Sequence, residues 1–253
     1  MVSVTLLTSR VLRDVPGIVH GFTTREGGTS SGPYASLNLG GKDDARSAIE
    51  ANRKLALDAL GVPDATLVAL RQVHGNDIVQ VTRHASRSIE ADGLWTRDRE
   101  VVLCILVADC VPIVFADARG RAIGAVHAGW KGTASRIATA MVERLKDVDI
   151  PPHDLRVAIG PSIGPEDFEI GPDVVLALNQ AYPSPGSAIR PGAQDRSYAD
   201  LWALNRRALV EAGVPDANID CLNLSTMRDA RFFSHRRDKG VTGRQAALIG
   251  FAR

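Results

Sequence analysis

Val101-Val102-Leu103-Cys104-Ile105-Leu106-Val107 is an unbroken apolar run, followed at once by Ala108-Asp109-Cys110 and then by Ile113-Val114-Phe115. That length suits a strand, and the lack of polar alternation predicts burial on both faces. Further strand patterns lie on either side: Leu67-Val68-Ala69-Leu70 and Ile78-Val79-Gln80-Val81 before it, residues 122–126, Leu155–Ile159, 219–224 and 246–251 after it. Helical spacing occurs between them. One helix opens after Asp43-Asp44, carries Ile49, Asn52, Leu55 and Leu60, and ends at Gly61. Another carries Ile137, Met141 and Leu145, and two more cover residues 173–181 and 201–212. Strands and helices mix throughout, with strand clusters longer than strict alternation gives. The expected class is α/β of the mixed, α+β kind, with mixed sheets. Residues 183–193 are the best linker candidate, but residues 1–253 are expected to form a single domain. The glycine-rich stretch from Arg25 to Tyr34 predicts an ordered loop.

The bulk numbers exclude several classes. The 253 residues carry a formal charge of +1, which gives no global electrostatic basis for binding nucleic acid or an anionic membrane. No apolar run has the length of a membrane span. Three cysteines (Cys104, Cys110, Cys221), an odd number, and an N-terminus without a basic region predict reduced thiols and a cytoplasmic protein.

Three segments carry the chemistry: Gln72-Val73-His74-Gly75, Val107-Ala108-Asp109-Cys110 and His127-Ala128-Gly129-Trp130-Lys131. Each places a soft or borderline metal ligand at the end of an apolar run, before a turn signal. Two imidazoles and one thiol make an incomplete tetrahedron, the pattern of a catalytic zinc site with one open position. His74, Cys110 and His127 are therefore the expected metal ligands and catalytic residues. Asp109 is a candidate to orient an imidazole. Two other readings use the same residues: a metal-free Cys110–His127 nucleophile and base, or copper, which also accepts imidazole and thiolate. A four-copper oxidase needs more imidazoles than the six histidines present. Lys131, beside a strand–helix turn, is a candidate for holding phosphate. The segment from Phe232 to Gly240, dense in aromatics and charge, is a candidate pocket wall.

The ordered motifs His20-Gly21-Phe22-Thr23-Thr24-Arg25, Ser36-Leu37-Asn38-Leu39-Gly40, Asn52-Arg53, Gln72-Val73-His74-Gly75, Ala91-Asp92-Gly93, Ala108-Asp109-Cys110, His127-Ala128-Gly129-Trp130 and Phe232-Phe233-Ser234-His235-Arg236-Arg237-Asp238 resemble the YfiH-like family. That family has been labelled polyphenol oxidase or laccase-domain protein, purine nucleoside phosphorylase, and peptidoglycan editing factor. The resemblance implies layered mixed sheets flanked by helices, similar to the catalytic domain of cytotoxic necrotizing factor, a cysteine–histidine deamidase. It implies zinc at His74, Cys110 and His127. It implies phosphorolysis of adenosine, inosine, guanosine and methylthioadenosine, and deamination of adenosine. By position it implies substrate contacts from Arg25, Asn38, Arg53 and Gln72. Phosphorolysis needs phosphate beside the ribose C1′, and the open metal position together with Arg53 or Lys131 is the expected place for it. The expected partners are a purine nucleoside and phosphate, with no nucleic acid and no membrane, and the expected state is a monomer.

Overall fold

In the computed structural model, residues 4–41, 43–86 and 88–252 are described. In chain order the elements are β1 (Leu6–Leu7), α1 (Arg10–Arg13), β2 (Ile18–Thr23), α2 (Arg46–Leu60), β3 (Thr66–Ala69), β4 (Ile78–Gln80), β5 (Gly93–Thr96), β6 (Val101–Val107), β7 (Val111–Asp117), β8 (Ile123–Ala128), α3 (Trp130–Ala134) and α4 (Ile137–Lys146). There follow β9 (Leu155–Ile159), β10 (Glu169–Ile170), α5 (Pro172–Ala181), β11 (Ile189–Pro191), β12 (Ser197–Ala199), α6 (Leu201–Glu211), β13 (Ile219–Cys221) and β14 (Gln245–Phe251).

Two mixed sheets dominate. One is ordered β1-β2-β14-β6-β3, the other β13-β9-β7-β8-β5-β4. In the first, β14 runs antiparallel to β6, with Leu248 opposite Cys104, while β3 runs parallel to β6. The Val101–Val107 run explains how the layers stack. Val101, Leu103, Ile105 and Val107 point to the second sheet, where they meet a cluster containing Val114, Ala116, Ala125 and Ala158. Val102 and Cys104 point the other way, toward Ala56, Leu57 and Leu60 of α2. The strand has no polar alternation because both of its faces are covered. The second sheet repeats the pattern. Val111, Ile113 and Phe115 of β7 face outward against Met141 and Leu145 of α4, Leu178 of α5 and Leu204 of α6. The order across the molecule is helix, sheet, sheet, helices. Leu103 is fully buried at its centre, and truncating such a residue to alanine costs about 2–5 kcal/mol.

The helix boundaries follow local chemistry. Gly61 closes α2 at φ +80°, a left-handed conformation that favours glycine. Pro172 sits in the first turn of α5, where its missing N–H costs nothing. The Asp200 carboxylate accepts from the Ala203 N–H at 2.9 Å and caps α6. The loop after Arg25 is ordered, as expected: the Arg25 carbonyl accepts from the Ser36 and Leu37 N–H groups. The Asn52 side chain on α2 accepts from Thr29 and donates to the Ser36 and Asn38 carbonyls.

Two expectations need correction. Residues 183–193 are not a linker, because Ile189–Pro191 pairs with β12 in a third small sheet, β10-β12-β11, and Ala188 is buried. The strand expected over 219–224 stops at Cys221, since Asn223 has φ +52° and leaves the extended region. No helix among the described residues is long and apolar enough to cross a membrane.

Candidate metal centre

Residues 108–110 carry the chain from β6 in one sheet to β7 in the other. So short a crossing puts Cys110 at the rim where the sheets meet. Asp109 takes φ +87° to make the turn, a conformation Asp tolerates better than most residues. His127 lies in β8, opposite Pro112 of the adjacent β7, which brings its ring to the same rim. His74 is not on a strand end, as the sequence suggested. It lies beyond β3 in a bend, at φ +62°.

The three ligand atoms lie within 4.8 Å of one another, and among the described residues this is the one such group of His, Cys, Asp or Glu. The two imidazole rings meet edge to face at a centroid distance of 4.8 Å. A tetrahedral ion with bonds of about 2.0–2.3 Å spaces its ligand atoms roughly 3.3–3.8 Å apart. The donor set therefore fits a metal ion with a small inward movement. A side chain at residue 129 would obstruct this: a Cβ on Gly129 would stand 3.0 Å from the Cys110 Sγ and 3.3 Å from the His74 Cδ2.

The residue that organises the histidines is Asp92, fully buried at the entrance to β5. Its Oδ1 lies 2.7 Å from the His127 Nδ1 and accepts from the His74 N–H at 3.0 Å. Its Oδ2 accepts from the N–H groups of Val73 at 3.0 Å and Gly75 at 2.7 Å. One carboxylate thus fixes the ring of one ligand and the backbone of the other, leaving the His127 Nε2 for the ion. Burial pushes the Asp92 carboxyl up, and these bonds, led by that from His127, outweigh it and hold it below its ordinary value. Sequence reasoning gave this task to Asp109. The structure corrects that: the Asp109 carboxylate faces away from the imidazoles and accepts from Thr226, Ser234 and the Arg236 N–H. The signal for Asp92 was present in Ala91-Asp92-Gly93, but nothing in the sequence alone says that the loop at residue 74 folds back over it.

The protein atoms alone set up a charged pair. Burial pushes the Cys110 thiol up, but the His127 charge and hydrogen bonds from both imidazoles overcome it, bringing it down to about 6. Burial pulls the His127 imidazole down, and the Cys110 thiolate and Asp92 overcome that, raising it to about 9. A thiolate is the form in which cysteine both ligates a metal and attacks an electrophile.

The triad opens on a cleft of about 520 Å³. Gln72, Leu106, Ile163, Phe168, Arg236 and Arg244 are among the residues that line it. Of the expected substrate contacts, the structure brings Gln72 to the cleft, where its amide makes two 2.8 Å hydrogen bonds to the Leu106 backbone. Arg25, Asn38, Arg53 and Lys131 are not on its lining. Arg25 donates to the Ala35 carbonyl and covers the Phe233 ring. Asn38 is buried and bonded to Asp44 and the Arg244 N–H. Arg53 donates to the Leu39 carbonyl and lines a separate depression with Gly40 and Asp44. Lys131 is exposed beside Trp130. Arg244 was missed because a single arginine before a closing strand has no distinguishing pattern. The expected wall from Phe232 to Gly240 does contribute, through His235 and Arg236.

Two packed mixed sheets with an imidazole–thiolate–imidazole cluster at their rim define a layered α/β protein with a candidate three-ligand metal centre. Residues 19–252 match the family described as multi-copper polyphenol oxidoreductase laccase. A relative from Geobacillus stearothermophilus, named purine nucleoside phosphorylase YlmD, is 41% identical over 92% of this chain and 90% of its own length. One from Deinococcus radiodurans, named purine nucleoside phosphorylase, is 40% identical over 93% of this chain and 90% of its own length. The crystal structure of YlmD from Geobacillus stearothermophilus superposes with a TM-score of 0.89 at 38% identity, covering 95% of this chain and 94% of that one. The Bacillus licheniformis protein YfiH gives 0.90 at 33% identity over 98% and 96% of the two chains. The chain belongs to this laccase-domain, or YfiH-like, family.

Proposed function

We propose that this protein is a zinc-dependent purine nucleoside phosphorylase, acting on adenosine, inosine, guanosine and methylthioadenosine, with adenosine deaminase activity. The observation that carries the reading is the convergence of His74, Cys110 and His127, with donor atoms within 4.8 Å, on a cleft of about 520 Å³. A cleft of that size suits a nucleoside. The relatives' names support the reaction class. The family description points to copper instead, but imidazole and thiolate are also ligands that zinc takes, and three of them leave a fourth position open. A multi-copper centre finds no support in the remaining histidines. His20 is buried and accepts from the Ser9 N–H, and His84 and His153 are exposed and off the cleft lining. His235 does line the cleft, but among the described residues only His74, Cys110 and His127 form a group of metal-ligating atoms.

His74, Cys110 and His127 would hold zinc, which when bound supplies Lewis-acid polarisation in the cleft. The chain's own groups do the rest. Leu70, Leu106, Ile163 and Phe168 offer apolar surface for the purine, and Arg236 and Arg244 offer guanidinium groups for phosphate. Phosphorolysis joins a phosphate oxygen to the ribose C1′ as the bond from C1′ to the base nitrogen breaks, and the base leaves with a proton. Deamination replaces the adenine amino group with the oxygen of water and releases ammonia. The test is to incubate the zinc-loaded protein with adenosine and phosphate and separate the products. Adenine with ribose-1-phosphate, together with inosine, supports the proposal. Absence of all three with zinc restored overturns it.

A second reading rests on the line from Asp92 through His127 to Cys110, in which a carboxylate orients an imidazole beside a thiolate. That is the arrangement of a cysteine hydrolase, and it would suit an amidase that edits peptidoglycan precursors. Metal-free protein that hydrolyses an amide and is inactivated by alkylation of Cys110 favours this reading. A Cys110→Ser protein that loses metal and nucleoside turnover together favours zinc.

A further inference from the structure

Asp109 sits next to the thiol ligand, yet its side chain serves the opposite wall of the cleft. Its Oδ1 accepts from the Thr226 hydroxyl at 2.6 Å. Its Oδ2 accepts from the Ser234 hydroxyl at 3.1 Å and the Arg236 N–H at 2.7 Å. Its carbonyl accepts from the Ile163 N–H at 2.9 Å. Ile163, His235 and Arg236 all line the cleft, and Asp109 is 8% exposed. Among the described residues no arginine or lysine side chain pairs with this carboxylate. Its charge is met by hydrogen bonds from the segment it holds. The same segment is tied to itself by Arg237, which donates to the Thr226 and Phe232 carbonyls.

We propose that Asp109 is a positioning residue that fastens the wall formed by residues 226–236 to the Cys110 loop and so sets the place of Arg236 over the substrate. The Arg236 guanidinium lies 5.5 Å from the Phe168 ring centroid and donates to the Glu169 carbonyl. Its backbone is fixed at the other end by Asp109. Release of that end frees one of the two arginines on the cleft lining, while Cys110 keeps its partners His74 and His127. Asp109 therefore acts on substrate affinity and not on metal retention.

The experiment compares Asp109→Gly with Asp109→Asn. Glycine removes the carboxylate without penalty at φ +87°. Asparagine tolerates that backbone, and its amide oxygen can still accept from the Arg236 N–H while the rotatable Thr226 hydroxyl accepts from its amide nitrogen. In Asp109→Gly, KM for adenosine rises about tenfold with kcat within about twofold, and zinc stoichiometry is unchanged. Asp109→Asn restores KM to within about threefold of the wild type. This arm rests on the proposed nucleoside reaction. Hydrogen exchange does not: amides of residues 226–236 exchange about tenfold faster in zinc-loaded Asp109→Gly, and those of Val73 to Gly75 do not change. Wild-type exchange in Asp109→Gly, or loss of its zinc, overturns the proposal whatever the substrate. Faster exchange with no nucleoside turnover by the wild type upholds the clip and refutes the assigned reaction.

Discussion

Asp92→Asn tests how the metal centre is held. The two carboxylate oxygens divide four donors: the His127 ring and the His74 N–H on one, the Val73 and Gly75 N–H groups on the other. The amide nitrogen of asparagine must replace one oxygen, so two donors face a donor in either orientation. Each hydrogen bond to a charged group is worth about 1.5–3 kcal/mol. The amides of residues 73–75 are partly accessible, so water replaces part of the loss there. The expected cost in stability is about 2–3 kcal/mol. With nitrogen in the Oδ1 place both the His127 ring and the His74 N–H lose their acceptor, and in the Oδ2 place the loop around His74 is loosened through Val73 and Gly75, so zinc affinity falls about 10–100-fold. Zinc affinity is read by competition with a chromophoric chelator and stability by urea denaturation of the metal-free protein. A variant that binds zinc within about twofold of the wild type and unfolds at the same urea concentration refutes this account of Asp92.

Other predictions rest on different groups. Alkylation of Cys110 in the metal-free protein should follow an apparent pKa of about 6, against about 8.5 for a free thiol, and zinc should block it; a rate that rises only above pH 8 contradicts the charged pair. Gly129→Ala crowds the thiol and His74 and should weaken zinc about tenfold with little loss of fold stability, as read by the same chelator titration. His20 is buried, and burial first and the Arg13 charge second lower its imidazole to about 4. Its neutral form is the native one, so the unfolded chain binds the extra proton. The contribution is complete above the unfolded value of 6.5 and is lost as pH falls through about 4, amounting to about 3 kcal/mol. His20→Gln, which keeps an acceptor for the Ser9 N–H, should flatten the stability profile between pH 6.5 and 4.

The parts of the molecule legible in the sequence are those governed by local pattern. The Val101–Val107 strand is an unbroken apolar run because both of its faces are covered, and the helix ending at Gly61 and the Ile137–Met141–Leu145 face carry a period that burial of one side enforces. The His74, Cys110 and His127 cluster was legible because few residues combine imidazole and thiol chemistry at turns beside apolar runs. The small sheet β10-β12-β11 was not, since strands of two or three residues have no period to read. The lining of the cleft was the least legible. Arg25, Asn38 and Arg53 are spent on holding loops, as their bonds to Ala35, Asp44 and Leu39 show, while Arg236 and Arg244 reach the cleft through tertiary folding alone. The exchange of roles between Asp92 and Asp109 has the same origin. An aspartate's partner is set by which distant loop folds over it.

X-ray absorption at the zinc edge, with elemental analysis of protein purified without added metal, tests directly whether His74, Cys110 and His127 hold an ion. The account predicts one zinc per chain bound by two imidazole nitrogens and one sulfur, with the sulfur signal lost in Cys110→Ser. Stoichiometric copper, or zinc whose spectrum contains no sulfur, would contradict it.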